Sequence, residues 1–268
     1  MLRKITLTSL LLLSFYRLIQ ETLIITSLSL SKGEAHNLLF AIALLWLGYC
    51  LPIAAVAYYI FKKLGVSYYW FILAFVFGGL VVGHLTGVLN TRLADLLKFL
   101  FPNARLLKDW IPSIIPPLVE ETFKLGIASI VIYLSKERNL WAAMLLGVGT
   151  GLGFQLSEDH TYVVAAAVEK HLTPLHQSVL RFETAFSGHW LLTAILTVVI
   201  FMLYRYQSYR SSAVAYLYLC APMILHILWN SPYIDGSVML KIVLTLASWL
   251  ILLSLCFEMK KNNFTLEH

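Results

Sequence analysis

Long apolar stretches recur along this chain, at about 5–30, 38–61, 68–90, 111–134, 141–168, 186–204, 213–230 and 238–257. Each is close to the roughly 20 residues of helix that cross a hydrocarbon core. A segment in lipid must satisfy its backbone polar groups internally, which leaves helices or closed barrels. Barrel strands alternate in polarity over only about 10 residues, and these runs are longer and continuously apolar. The pattern therefore predicts an all-α polytopic membrane protein with about eight transmembrane helices in one bundle. Of the 268 residues, 59% are apolar and only 13% charged, against roughly a quarter charged in a soluble domain. No separate soluble domain fits, and residues 1–265 read as a single integral-membrane domain. The last three, Leu266, Glu267 and His268, read as a tag scar.

The formal charge of +6 does not point to nucleic acid, because the cations fall between the apolar runs, where they mark membrane topology. One side collects Arg3, Lys4, Lys62, Lys63, Lys136, Arg138, Arg205, Arg210, Lys260 and Lys261; the other has Lys32, Lys170, Arg181 and Lys241. That asymmetry predicts cytoplasmic termini. The segment 91–110 is set apart: Leu93, Leu96, Leu97, Leu100 and Phe101 recur at helical spacing opposite Arg92, Asp95 and Lys98, which predicts an amphipathic helix lying in the interface. Arg3 and Lys4 before an apolar run resemble a signal peptide, but no small-residue cleavage site follows, so an uncleaved first helix is expected. Cys50, Cys220 and Cys256 are odd in number and lie in apolar runs, which suggests neither disulfides nor a zinc cluster. Gly79, Gly83 and Gly87, and the pairs Gly147/Gly151 and Gly149/Gly153, repeat every four residues and predict close helix packing.

Ionisable residues inside these runs are the informative ones, because burying them in lipid is costly. The fourth run contains Glu120, Glu121 and Lys124; at spacings of three and four the ammonium reaches either carboxylate on a helix. One lysine does not neutralise two glutamates, so a proton, a metal ion or another basic group is implied. The fifth run carries Glu158, Asp159 and His160, His189 opens the sixth, and the seventh ends with His226 and Asn230, four apart and hence on one face. Arg17 and Glu21, also four apart, read as a mutually satisfied structural pair, and His84 as a packed histidine. Counting residues from the run ends at 1.5 Å each places Glu120, Glu158, His189, His226 and Asn230 in the same half of the bilayer. Four helices thus predict one buried polar site that either chelates a metal or shares protons.

Four motifs, Glu120-Glu121-x-x-Lys124, Phe154-x-x-x-Glu158 with Tyr162 following, Gly188-His189 and His226-x-x-x-Asn230, together resemble the PrsW family of intramembrane proteases, within the wider group of CAAX prenyl endopeptidases and bacteriocin-immunity proteins. They occupy the central part of the chain, about 111–230. Asp159 departs from the asparagine expected after the glutamate. The resemblance implies hydrolysis of a peptide bond in a membrane-associated substrate, a single-span protein of the anti-sigma-factor type or a peptide, in a prokaryotic cell membrane. It assigns catalytic roles to Glu120 as proton acceptor, Glu121, Lys124 as charge balance and Asn230 as an oxyanion donor. A divalent metal, zinc by ligand chemistry, would be held by Glu121, Glu158, His189 and His226. A scheme without metal, in which Glu120 activates water while His226 and Asn230 support the oxyanion, stands beside it. Two further readings use the same residues: a proton- or cation-coupled transporter, for which the halves lack paired motifs, and a non-catalytic peptide-binding relative.

Overall fold

The computed structural model describes residues 1–261 apart from 207, 208, 210, 211 and 235, and only the backbone of 105–108. Arg210 and the tag-like 266–268 lie outside the described residues. The described chain is helical throughout, with no strand: α1 (Leu2–Ser27), α2 (Lys32–Leu64), α3 (Tyr69–Leu100), α4 (Arg105–Ser135), α5 (Leu140–Glu169), α6 (Pro174–Thr184), α7 (His189–Arg205), α8 (Ala213–Trp229) and α9 (Val238–Lys261). Length and hydropathy suffice for membrane crossing in α1, α2, α3, α5, α9 and the α6–α7 unit. The other two rods are α4, 31 residues long but charged at its middle, and the 17-residue α8.

Helix ends follow local chemistry. Ser31 and Glu34 form a reciprocal capping box at the start of α2, worth about 1 kcal/mol. The Asn139 side chain accepts from the N–H groups of Trp141 and Ala142 at the start of α5. Thr173 accepts from the N–H of His176, and Pro174 opens α6, where its missing N–H costs nothing.

α5 is the axis of the bundle. It packs against α2, α3, α4, α6 and α7, and 89% of its most apolar window is buried, against 11% for α1 and 22% for α9. Both outer helices present leucines and isoleucines outward, as lipid-facing helices do. Two glycine faces let the neighbours of α5 approach. A Cβ on Gly153 would lie 1.9 Å from the Phe75 carbonyl oxygen of α3, and one on Gly151 would lie 2.6 Å from the His189 carbonyl oxygen of α7. Gly151 thus seats the first turn of α7. Gly151→Ala is expected to push that turn away, costing about 1–3 kcal/mol by overpacking and lowering the thermal unfolding midpoint in detergent; an unchanged midpoint would remove the close approach from the account.

Two stretches differ from the expected pattern. The amphipathic segment 91–110 is not a helix of its own: residues up to Leu100 continue α3, and α4 begins at Arg105. Leu96 and Phe99 are exposed together with Arg92, Asp95 and Lys98, because this end of α3 projects past its neighbours. The short amphipathic helix at this end of the bundle is α6, joined to α7 by a 3₁₀ turn, Ala185–Ser187, and Gly188. It packs on α2 and α5, with the Phe182 ring against Gly48. Arg17 and Glu21 form the pair that their spacing predicts, and the three cysteines are unpaired.

Candidate catalytic centre

Glu120, Glu121 and Lys124 lie on the inward face of α4, and all three are buried. The Lys124 ammonium sits 2.6 Å from Glu121 Oε1, 3.9 Å from Glu120 Oε2 and 2.9 Å from His189 Nδ1, above the Phe154 ring at 4.3 Å. An ammonium only donates, so Nδ1 of His189 accepts, and the ring proton falls on Nε2, 3.1 Å from Glu158 Oε2. At the other imidazole, Nδ1 of His226 lies 3.0 Å from Glu121 Oε1. A carboxylate only accepts, so Nδ1 carries the proton and Nε2 presents a lone pair. Each ring is therefore oriented by a carboxylate behind it, the arrangement that fixes metal-binding histidines elsewhere. Glu121 Oε2 faces the Thr193 hydroxyl at 3.5 Å.

The free nitrogen of His226 and the Lys124-bound nitrogen of His189 converge on Glu120. Its Oε2 is 3.9 Å from His226 Nε2 and 4.0 Å from His189 Nδ1, is buried and has no hydrogen-bond partner among the described residues. Asn90 of α3 donates to the other oxygen, Oε1, at 3.1 Å. One ligand atom from each of Glu120, His189 and His226 falls within 4.8 Å of the others. Glu120 Oε2 and His226 Nε2 thus face each other with free lone pairs, and the third atom, His189 Nδ1, accepts from the Lys124 ammonium, which a cation held here would have to displace. Two imidazoles and a carboxylate beside an open cavity are a donor set that suits a catalytic zinc. Of the ligands expected from sequence, His189 and His226 are in this trio; Glu121 and Glu158 stand behind them, and Glu120 takes the front. Adjacent helix residues point about 100° apart, so Glu120 and Glu121 cannot both face the cavity.

Glu158 is held from the far side by Arg181 of α6, which also pairs with Asp159. Asp159 is buried and accepts a 2.7 Å hydrogen bond from the Tyr49 hydroxyl. Tyr49 lies in a widened π-helical turn of α2, Trp46–Cys50, and such turns recur at functional sites. Asp159, the position departing from the family pattern, therefore joins α2, α5 and α6 and does not enter the trio. His160 turns away towards Trp46.

A cavity of about 630 Å³ adjoins the trio; Glu120, Glu158, Arg181, His189 and His226 line it. Asn230, at the end of α8, is on its wall, and its backbone oxygen accepts from the Ser113 hydroxyl at 2.7 Å. Pro112 and Pro116, inside α4, line the same cavity; each removes a backbone donor from the helix there. Gly188 admits the Gln155 carboxamide, which would lie 2.0 Å from a Cβ, and so brings His189 to the helix start.

Asn90, Arg181, Tyr49 and Thr193 were not singled out from sequence. Asn90 follows Gly83 by seven residues, about two helical turns, and so shares its face, a signal that a polar residue ends the packed face of α3. Thr193 follows His189 by four residues and shares its face. Arg181 had read as interfacial charge, and no sequence spacing links it to Glu158.

The family model described as PrsW family intramembrane metalloprotease matches residues 67–256, which include the whole cluster except Tyr49. No curated protein and no solved structure matches the chain.

Proposed function

Since the chain belongs to the PrsW family of intramembrane metalloproteases, we propose that it hydrolyses a peptide bond of a membrane-associated protein or peptide at the Glu120, His189 and His226 trio. The observation that carries this is the convergence of three electron-pair donors on one point beside a polar cavity. Hydrolysis requires a water, an acceptor for its proton and donors for the developing oxyanion. Within the cluster, Glu120 Oε2 is the buried carboxylate oxygen that lacks a hydrogen bond, and it is our choice of acceptor. Asn90 holds the other oxygen and so fixes the direction in which Oε2 points. Glu121 and Glu158 orient the two rings, Lys124 offsets their charge, and the Asn230 carboxamide on the cavity wall supplies an N–H to the oxyanion.

Glu120, His189 and His226 would hold a divalent cation, zinc by its preference for imidazole and carboxylate; with a cation held, Glu120 Oε2 is a ligand, and its role as proton acceptor belongs to the metal-free scheme. When bound, it supplies a Lewis acid for the scissile carbonyl and a water of lowered pKa. The hydrogen bonding favours this reading over the metal-free scheme: with Nδ1–H given to Glu121, a neutral His226 has a lone pair for a cation and no proton for an oxyanion. The set of expected ligands changes accordingly, with Glu121 and Glu158 assigned to orientation. Elemental analysis of purified protein is expected to find about one metal ion per chain, falling to near zero in His189→Ala and His226→Ala. Chelation is expected to stop cleavage of a single-span substrate in detergent, and zinc to restore it. Full cleavage by chelated, metal-free protein would move the chemistry to the glutamate alone.

We take residues 1–265 as one integral-membrane domain with its catalytic core at about 111–230, in a prokaryotic cell membrane. Arg3, Lys4, Lys62, Lys63, Lys136, Arg138, Arg205, Lys260 and Lys261 fall at the helix ends opposite the cavity. This supports cytoplasmic termini and a cavity opening towards the outer leaflet, where a single-span protein of the anti-sigma-factor type is the substrate suggested by resemblance.

A further inference from the structure

At the end of the bundle away from the catalytic cavity, a second cavity of about 510 Å³ lies between the start of α1, the end of α4 with its following loop, and the last turns of α7. Arg3, Lys136, Arg138 and Arg205 line it from these three places. Among the described residues, none of the four is in an ion pair. The one carboxylate present, Glu137, accepts from the backbone N–H groups of Arg138 and Asn139 at 2.8 Å each and is committed to shaping the loop. The Arg3 guanidinium lies over the Tyr133 ring at 4.6 Å; stacking of this kind fixes the plane and leaves the in-plane N–H groups available. Thr197, 1% exposed, also lines the cavity, and its hydroxyl has no hydrogen-bond partner among the described residues. Ile132, Ile200 and Phe201 form an apolar wall beside the cations.

We propose that this cavity binds the phosphate of an anionic phospholipid headgroup, with the start of its acyl chains against the apolar wall. Cations gathered at a membrane-facing helix end attract anionic lipid in general, and basic pockets between helices hold particular headgroups. Convergence of four cations from three elements on one cavity distinguishes this place from the paired Lys62 and Lys63 at the end of α2, which do not line it. The apolar wall favours a lipid over free phosphate, to which it would contribute nothing. This inference does not depend on the chemistry assigned to the catalytic cavity.

The test uses full-length protein in nonionic detergent, with dioleoyl phosphatidylglycerol or dioleoyl phosphatidylcholine added and bound lipid read by native mass spectrometry. Wild type is expected to prefer phosphatidylglycerol. The triple variant Arg3→Gln/Arg138→Gln/Arg205→Gln is expected to bind it about a hundredfold more weakly, at about fivefold per cation, whereas Lys62→Gln/Lys63→Gln keeps the preference. Arg138→Gln alone, in an exposed loop, is expected to lose about fivefold without unfolding and covers the case in which the triple variant does not fold. Equal losses in the pocket and control variants would reduce the effect to diffuse surface charge and overturn the proposal. So would absence of a preference in wild type, or displacement of the lipid by millimolar inorganic phosphate, which would identify a site for the free ion.

Discussion

Glu120→Gln is expected to lower peptide cleavage by about a thousandfold or more while leaving the protein folded and extractable. General base catalysis alone contributes about 10²–10⁴-fold, and the substitution also removes the negative oxygen from the trio. Folding should survive because the contacts of the side chain are few. Its one hydrogen bond, from Asn90 to Oε1, can be accepted equally well by a carboxamide oxygen. Its Oε2 has no hydrogen-bond partner to lose, and Lys124 lies closer to Glu121 than to Glu120, at 2.6 against 3.9 Å. The measurement is proteolysis of a single-span substrate by purified protein, followed by mass spectrometry of the fragments, with size-exclusion behaviour recorded alongside. Cleavage at the wild-type rate by a well-folded Glu120→Gln protein would remove this carboxylate from the chemistry and reopen the transporter reading.

The contrast between Glu120 and Glu121 also marks the limit of what sequence can reveal. Spacing of three and four residues placed both carboxylates within reach of Lys124, and this follows from helix geometry alone. Which carboxylate faces the cavity depends on how α4 is rotated against α5, α7 and α8, and no local pattern carries that rotation. The same division holds elsewhere. The eight rods were legible because lipid imposes a minimum apolar length, and the close packing of α3 on α5 because glycines repeat every four residues. Gly87, in the same series, meets nothing within 4 Å, although Asn90, three residues on, still reaches Glu120. Asp159 had no readable role, because its partners Tyr49 and Arg181 are 110 and 22 residues away. The amphipathic pattern of 91–110 rests on residues 92–101, which continue α3 to Leu100, and helical periodicity does not show that a segment is joined without a break to the span before it.

Lys124→Met is expected to be the most destabilising single substitution in the cluster, by about 3–5 kcal/mol, which corresponds to an unfolding midpoint about 10 °C lower in detergent. Lys124 is fully buried, as is Glu121, and the pair exchanges a 2.6 Å charge-assisted hydrogen bond. Removing one member leaves the other as an uncompensated charge, which costs more than the pair contributes over an apolar replacement. The loss should therefore be largely reversed in Lys124→Met/Glu121→Gln, where neither charge remains, and a double-mutant cycle measures the coupling. Such a rescue is structural only. With Gln at position 121, the side chain no longer fixes the proton on His226 Nδ1 as a carboxylate does, so the double variant is expected to regain stability without regaining cleavage. If Lys124→Met alone were as stable as wild type, Glu121 would have to be neutralised by some other group, and the two imidazoles are the nearest candidates. Recovery of both stability and cleavage in the double variant would show instead that the ion pair behind the trio is dispensable and that Glu120, His189 and His226 suffice.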